Sequence, residues 1–189
     1  MGVTLESMAI EMPAVFGHPN RAGFRGVLTV VDVASDKAPA GARGHRVLLM
    51  RRAAEIALPS LLGMGLDYAP ALDRHDVRRK VGVITRAEIV GRRVEVGGFL
   101  YARDFPEIVE EIGKAPTTLS QNARKSGAPT RKDWAPAASL GMSYEIADAQ
   151  IEDIKASVWV LNKVTFTGAA ILRRDKAAYQ GTWIELEGQ

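Results

Sequence analysis

The chain has 189 residues, 47% of them hydrophobic and 25% charged, and it contains no cysteine. This length suits one domain with a substantial core, and the lack of cysteine excludes disulfides, thiolate nucleophiles and cysteine-based zinc sites. A net charge of +3 is mild, and no apolar run approaches the roughly 20 residues of a membrane span. Membrane insertion and nucleic-acid binding are therefore not indicated.

The first 23 residues are rich in proline and glycine and lack sustained periodicity. They are predicted to form an N-terminal arm or tail, because such segments seldom hold regular structure. A single domain is expected over residues 24–189. Its first strand is predicted at 24–33, where β-branched residues are concentrated before a polar turn.

The middle of the chain predicts a helix, a hairpin and a second helix. Apolar residues at helical spacing predict the first helix over 47–62. Residues 80–101 read as two β-rich runs around a Gly-Arg turn, which is typical of a hairpin or meander. Residues 105–112 place apolar side chains on one face, with proline near the start and glycine after the end, and this predicts a short helix.

The last third of the chain begins with a long segment of low periodicity. Residues 114–138 are rich in Pro, Ser, Thr, Lys and Gly and predict a long mobile loop. Strand-like composition returns at 140–146 and 158–172. The whole pattern predicts an α+β fold with a strand-rich, β-barrel-like core flanked by a few helices. No glycine-rich phosphate loop follows a strand in the required way, which disfavours a nucleotide enzyme.

Histidine and serine are the residues that indicate chemistry. His18 and His45 lie in loop-like segments and are interpreted as ordinary surface histidines. His75 precedes the predicted strand at residue 80, where a scaffold can present a loop side chain to a cleft. Ser143 follows Gly141 in a strand-like run. A strand serine is usually structural, but paired with an imidazole base its hydroxyl is a candidate nucleophile.

Taken in order, these segments resemble the prohead maturation proteases of tailed bacteriophages, the herpesvirus-assemblin-like serine proteases. In that family a histidine precedes a strand with a Lys/Pro-Ile/Val-Gly unit, a strand and a helix follow, and the serine lies on a later strand. The resemblance covers roughly residues 24–182. The segments that carry it are LDRH at 72–75, KVGVI at 80–84, 94–101, 104–112, LGMSYE at 140–145, VTFTGAAIL at 164–172 and AAY at 177–179.

The resemblance implies a role for several residues. His75 would be the general base and Ser143 the nucleophile of a serine endopeptidase that needs no metal or organic cofactor. Many members carry an acid or histidine on the last core strand to orient the imidazole. This chain has Lys163, Val164 and Thr165 there instead, so the third member is left open, with Thr165 and Lys163 as candidates. The pair Arg173 and Arg174 occupies the place of an arginine pair that lines the oxyanion hole in herpesvirus enzymes.

The resemblance also implies the setting of the reaction. The substrates would be the phage scaffold and the N-terminal arm of the major capsid protein, cleaved inside the assembling prohead in the host cytoplasm. Self-cleavage in the 114–138 loop and a homodimer are both compatible with it. The alternative is a protease-fold protein without activity that serves as a scaffold or capsid-associated subunit, which the missing acid on the last strand favours. A nucleic-acid-associated accessory protein is a further alternative that no motif supports.

Overall fold

The structure is a computed structural model that describes residues 8–10, 17–114 and 140–188. Over these residues the chain is mixed α/β and strand-rich, with a curled half-barrel sheet and two α-helices. The predicted strand-rich α+β class is therefore confirmed. The predicted loop at 114–138 lies outside the described residues except for its first position, and so does much of the predicted arm.

The sheet contains nine strands within the described residues. They are β1 (Met8–Ala9), β2 (Ala22–Val30), β3 (Arg46–Leu49), β4 (Gly65–Asp67), β5 (Lys80–Val90), β6 (Arg93–Leu100), β7 (Leu140–Ile151), β8 (Val158–Arg173) and β9 (Trp183–Leu186). The helices are α1 (Arg51–Ala57) and α2 (Pro106–Gly113), and short 3₁₀ turns occupy Ala40–Ala42 and Leu58–Leu61.

The strand order is β3-β8-β4-β5-β6-β2-β9, with β1 beside β5 and β7 beside β8. Strand β8 runs parallel to β3 and β4, whereas the other pairs are antiparallel. With 16 residues, β8 is long enough to pair with β3 through its first half and with β4 through its second half. It therefore joins the elements on which the candidate residues lie.

The predicted hairpin is confirmed as β5 and β6. Gly91 at the turn has φ of +59°, a conformation that glycine adopts without strain. Alternate residues of both strands, such as Val81 on β5 and Val96 on β6, are buried and face the core. The predicted helix at 105–112 is also confirmed, as α2.

The helix predicted over 47–62 is only partly correct. Arg46–Leu49 is a strand that pairs in parallel with Val158–Leu161, and Val47 and Leu49 alternate into the core. The helix itself begins at Arg51, whose backbone N–H donates to a carboxylate oxygen of Asp32 at 2.8 Å. Tertiary pairing with β8 therefore overrides the helical spacing in the first part of this segment.

Both ends of the described chain add strands that the sequence pattern did not indicate. In the predicted arm, Met8–Ala9 pairs with β5, and the N–H of Ile10 donates to the Thr85 carbonyl at 2.7 Å. Near the C-terminus, β9 pairs antiparallel with β2. Short edge strands of this kind carry little periodicity of their own and depend on the partner strand for their structure.

The core lies on the inner face of the curled sheet. Its fully buried side chains include Phe24, Leu28, Ile84, Leu100 and Phe166. Helix α1 packs against β8 and α2 against β9. Among the described residues no helix is long and apolar enough to cross a membrane.

Candidate active site

Ser143 lies on β7 in one row with a carboxylate from β4. Ser143 pairs with Ala170 of β8, and Ala170 pairs on its other side with Asp67. Residues in register share one face of a sheet, and neighbouring strands lie about 4.8 Å apart. The backbones of Ser143 and Asp67 are therefore roughly 10 Å apart on the same outer face, with only the methyl group of Ala170 between them.

His75 is brought over this row by the loop between β4 and β5. The Leu72 carbonyl accepts a hydrogen bond from the N–H of Arg173 at 2.7 Å, which ties the loop to the end of β8. The N–H of Asp76 donates to Oδ1 of Asp67 at 3.0 Å, which returns the chain to β4 immediately after His75. Leu72 has φ of +51°, a strained value for a branched side chain. The loop is therefore held in a defined shape.

Asp67 is the buried carboxylate of the site. It has no exposed surface, and its Oδ1 lies 3.5 Å from Nδ1 of His75 while its Oδ2 lies 3.1 Å from Nζ of Lys80. Burial alone would raise the pKa of this carboxyl. The contacts with His75, Lys80 and the Asp76 N–H outweigh burial and hold its pKa below the ordinary value. Asp67 is therefore a fixed anion beside the imidazole.

A second carboxylate approaches the same imidazole nitrogen from β7. Oε1 of Glu145 lies 3.9 Å from Nδ1 of His75, and the Glu145 side chain is 44% exposed. It lies across Gly168, the residue opposite it on β8, where an added Cβ would come within 2.7 Å of Oε2. Glycine at 168 thus makes room for the carboxylate. The imidazole consequently faces one buried and one partly exposed anion.

The imidazole of His75 has unused hydrogen-bonding capacity. Its side chain is 15% exposed, yet Nδ1 and Nε2 are both shielded from solvent, and neither has a hydrogen-bond partner within the described residues. The 3.5 Å approach to Asp67 is slightly longer than a normal hydrogen bond. Buried polar atoms in folded proteins nearly always have hydrogen-bond partners. A buried imidazole without such partners does not stabilise the fold, and its position beside two carboxylates marks a candidate functional site.

His75, Ser143 and Glu145 all line one cavity of about 570 Å³. Most of the other lining residues are apolar, including Met142, Leu161 and Trp159. Asp67 does not line this cavity and reaches it only through its contact with His75. A hydroxyl and an imidazole in one cleft, with a buried carboxylate behind the imidazole, are the parts of a nucleophile, a general base and a group that orients the base. Among the described residues no cluster of three or more His, Asp or Glu side chains could hold a metal ion.

The other candidate residues lie outside this cavity. Thr165 pairs with Ala147 and shares a hydrogen bond with Asp148 at 3.2 Å. It precedes Ala170 by five residues, which is about 16 Å along a strand. Lys163 lies two residues farther away and is exposed. The structure therefore does not bring either candidate third residue to His75.

The two arginines are engaged at the end of β8. Nε of Arg173 lies 3.2 Å from Oδ1 of Asp175, and Nε of Arg174 donates to the carbonyl of Gln180 at 2.7 Å. Burial lowers the pKa of Arg174. Neither arginine lines the cavity that contains Ser143.

The remaining histidines have local partners. Nδ1 of His18 accepts the N–H of Asn20 at 3.1 Å, and the ring of His45 stacks on Trp159 with 4.6 Å between centroids. Nδ1 of His45 also lies 2.9 Å from the carbonyl of Ala156. Both side chains are partly buried, so His18 and His45 are not the exposed surface histidines that the sequence predicted.

Asp67 was not among the candidates that the sequence predicted, because the third residue was expected on the last core strand. A signal was present, since Asp67 is a lone acid inside the apolar run Gly65-Leu-Asp-Tyr-Ala69. An acid at a buried strand position requires partners and marks a candidate functional site. Its proximity to His75 could not be inferred, because it depends on the loop that returns to β4.

Comparisons with known proteins add no relative. No protein-family model matches the chain, and no curated protein matches its sequence.

Proposed function

We propose that this chain is a serine endopeptidase of the prohead-maturation type, with an assemblin-like form of the strand-rich fold. Ser143 is the nucleophile, His75 the general base and Asp67 the group that orients the imidazole. The observation that carries the proposal is the contact of 3.5 Å between the buried Asp67 carboxylate and Nδ1 of His75, together with the cavity that His75 and Ser143 both line. Thr165 has no part in this assignment.

The reaction follows from these three groups. His75 takes the proton from the Ser143 hydroxyl as its oxygen attacks the peptide carbonyl carbon. The tetrahedral intermediate collapses, the C–N bond breaks, and the leaving amine takes the proton from His75. Water then attacks the acyl-enzyme and gives a proton to His75, and the Ser143 oxygen leaves with that proton. Asp67 steadies the imidazolium and fixes which ring nitrogen faces Ser143.

The tetrahedral oxyanion needs hydrogen-bond donors. The N–H of Met142 donates to Oγ1 of Thr182, on the side of β7 away from β8. N–H groups of a strand alternate between its two edges, so the N–H of Tyr144 faces the same open side. We assign this amide, next to the nucleophile, as one oxyanion donor. The side chains of Arg173 and Arg174 are not needed in this arrangement.

The substrates in this proposal are the phage scaffold and the major capsid protein, enclosed with the protease in the prohead. Enclosure supplies a high effective concentration, so tight binding is not required. The assignment predicts that the protein forms shortened capsid subunits when co-expressed with its capsid and scaffold proteins. Ser143→Ala and His75→Ala should each leave full-length subunits, and the double variant should be no worse than either single variant.

A serine-directed fluorophosphonate tests the chemistry without a substrate. Wild type should be labelled at Ser143, as located by peptide mass spectrometry, and His75→Ala should be labelled at least a hundredfold more slowly. Ser157→Ala is the matched control, because Ser157 is exposed and does not line the cavity. If wild type is neither labelled nor active in proheads that do form, the protein is an inactive scaffold and the proposal is wrong.

A further inference from the structure

The cavity runs along the open edge of β7. The five consecutive residues 142–146 all line it, although successive side chains of a strand point to opposite faces. A cavity touched by all five must therefore lie beside the edge of the strand. Among the described strands β7 pairs only with β8, so no described strand pairs with its other edge, where the Met142 N–H donates to Oγ1 of Thr182. Ser143 is one of the five residues that line the cavity. A substrate whose peptide bond is attacked by Ser143 must therefore bind in the cavity.

Most of the side chains that line the cavity are apolar. They include Met142, Ile146, Ile151, Trp159 and Leu161 and the ring of Tyr144. Met142 and Leu161 are almost fully buried, and the ring of Tyr144 is fixed edge-on against Phe166 with 5.5 Å between centroids. These walls are anchored in the core. The volume of about 570 Å³ is in the range of sites that enclose a bulky ligand group.

The titratable side chains that line the cavity are His75, Glu145, Tyr144 and Tyr179. Burial raises the pKa of Tyr144 to about 12 and also raises that of Tyr179, so both phenols are neutral in the physiological range. The carboxylate of Glu145 lies beside His75 and is partly exposed. An acidic substrate side chain would meet a like charge there and would lose its hydration against apolar walls.

We propose that this cavity selects substrates by a large apolar side chain, aromatic or branched aliphatic, next to the scissile bond. The inference rests on the proposed function and names the substrate class of the same site. Burying such a side chain removes apolar surface from water on both partners, which favours binding. One missing methylene in an apolar pocket commonly costs roughly tenfold or more in kcat/KM. A peptide with Phe or Leu should therefore exceed its Ala counterpart by at least that factor.

The test uses the full chain and peptides that differ only at the residues flanking the scissile bond. Phe and Leu should give the highest kcat/KM, Ala at least tenfold less, and Asp the lowest value. Cleavage of a mixed peptide library, with the cut sites located by mass spectrometry, should show the same order. Equal rates for Phe, Ala and Asp would overturn the proposal.

Two narrowing variants connect the preference to this cavity. Ala149 is exposed and lines the cavity, and Gly41 lines it with nothing within 4 Å of an added Cβ. Ala149→Trp and Gly41→Trp should each reduce the ratio of kcat/KM for the Phe peptide to kcat/KM for the Ala peptide at least fivefold. Ala147→Trp is the matched control, since Ala147 is exposed on the same strand but does not line the cavity. An unchanged preference in both narrowing variants would also overturn the proposal.

Fluorophosphonate labelling separates the two possible failures. If Ser143 is labelled and peptides are cleaved without preference, the specificity proposal fails and the protease assignment stands. If wild type is neither labelled nor able to cleave any peptide, the protease assignment itself fails.

Discussion

Two regions of the same sheet hold charged side chains in different environments. Around β2, β5 and β9, charged side chains are at least partly exposed and are paired, as in Arg25–Glu185 and Arg86–Glu187 at 2.5 Å each. On β4, the carboxylate of Asp67 is fully buried beneath His75. The first arrangement keeps charges in water, whereas the second removes one from it.

The two regions differ in what their charged groups contribute to the free energy of folding. Each exposed ion pair contributes about 0–1 kcal/mol to the free energy of unfolding, so these surface pairs change stability little. A buried carboxylate loses several kcal/mol of hydration and remains charged only because Lys80, His75 and a backbone N–H compensate. Packed apolar side chains would stabilise β4 at least as well. Stability alone therefore does not explain a buried carboxylate at this position.

The largest expected effect is loss of catalysis in Asp67→Asn. The amide has the same shape but cannot balance an imidazolium, and loss of such a carboxylate lowers kcat by about 10³- to 10⁴-fold. The measurement is kcat on a Phe-containing peptide, with circular dichroism to verify folding. Asp76→Asn is the matched control, because Asp76 adjoins His75 in sequence but its side chain accepts the Arg78 N–H at 3.1 Å. Equal losses in the two variants would contradict the assignment.

Gly98→Ala in the β5–β6 hairpin is expected to lower the free energy of unfolding without changing kcat. An added Cβ there would lie 2.0 Å from the Val83 carbonyl oxygen, so the two strands must separate. Overpacking of this kind costs about 1–3 kcal/mol or more. Urea unfolding should show a lower midpoint with an unchanged slope, while kcat per folded molecule stays within twofold.

The control for that variant is Gly41→Ala, where the added methyl meets nothing within 4 Å. Its unfolding free energy should change by no more than about 0.5 kcal/mol. A midpoint for Gly98→Ala that matches both the control and wild type would show that the hairpin tolerates the methyl group.

Acid should weaken the folded state partly through Asp67. The pKa of Asp67 is lower in the folded protein than its ordinary value of 3.8, so the folded state binds fewer protons than the unfolded state. The stability from this group is complete above pH 3.8 and is lost as the pH falls through the lowered pKa. The unfolding free energies of wild type and Asp67→Asn should therefore converge as the pH falls below 3.8.

Other carboxyl groups with lowered pKa, such as Glu107 and Asp175, are present in both proteins and cancel in this difference. A difference between wild type and Asp67→Asn that is constant from neutral pH down to pH 2 would contradict the lowered pKa of Asp67.

The smallest effect is expected at the arginines. Arg173 is directed to Asp175 and does not line the cavity, so Arg173→Ala should leave kcat/KM within about twofold. Arg174→Ala should do the same per folded molecule, although it removes the bond to the Gln180 carbonyl. A decrease in kcat/KM near a hundredfold in either variant would indicate that this arginine does stabilise the oxyanion.

Local pattern was sufficient for part of this fold. The hairpin of β5 and β6, the helix α2 and the long strands β7 and β8 each carry their own periodicity and turn residues, so the sequence predicted them. Residues 47–49 were predicted as helix because their identity as a strand depends on pairing with β8, more than a hundred residues away. The strand β9 has the same kind of dependence on β2.

The residues of the candidate site also fall into those that the sequence indicated and those that only the fold brings together. The sequence by itself determined which side chains were available for chemistry. Together with the family resemblance it also identified His75 and Ser143 as candidates, because residue type and order along the chain can be read without a structure. Only the tertiary structure decided which carboxylate meets the imidazole. Asp67 reaches His75 through a parallel pairing with β8 and a loop that folds back on β4, and Thr165 is separated from it by strand register. Register and loop closure are long-range properties that are absent from local residue patterns.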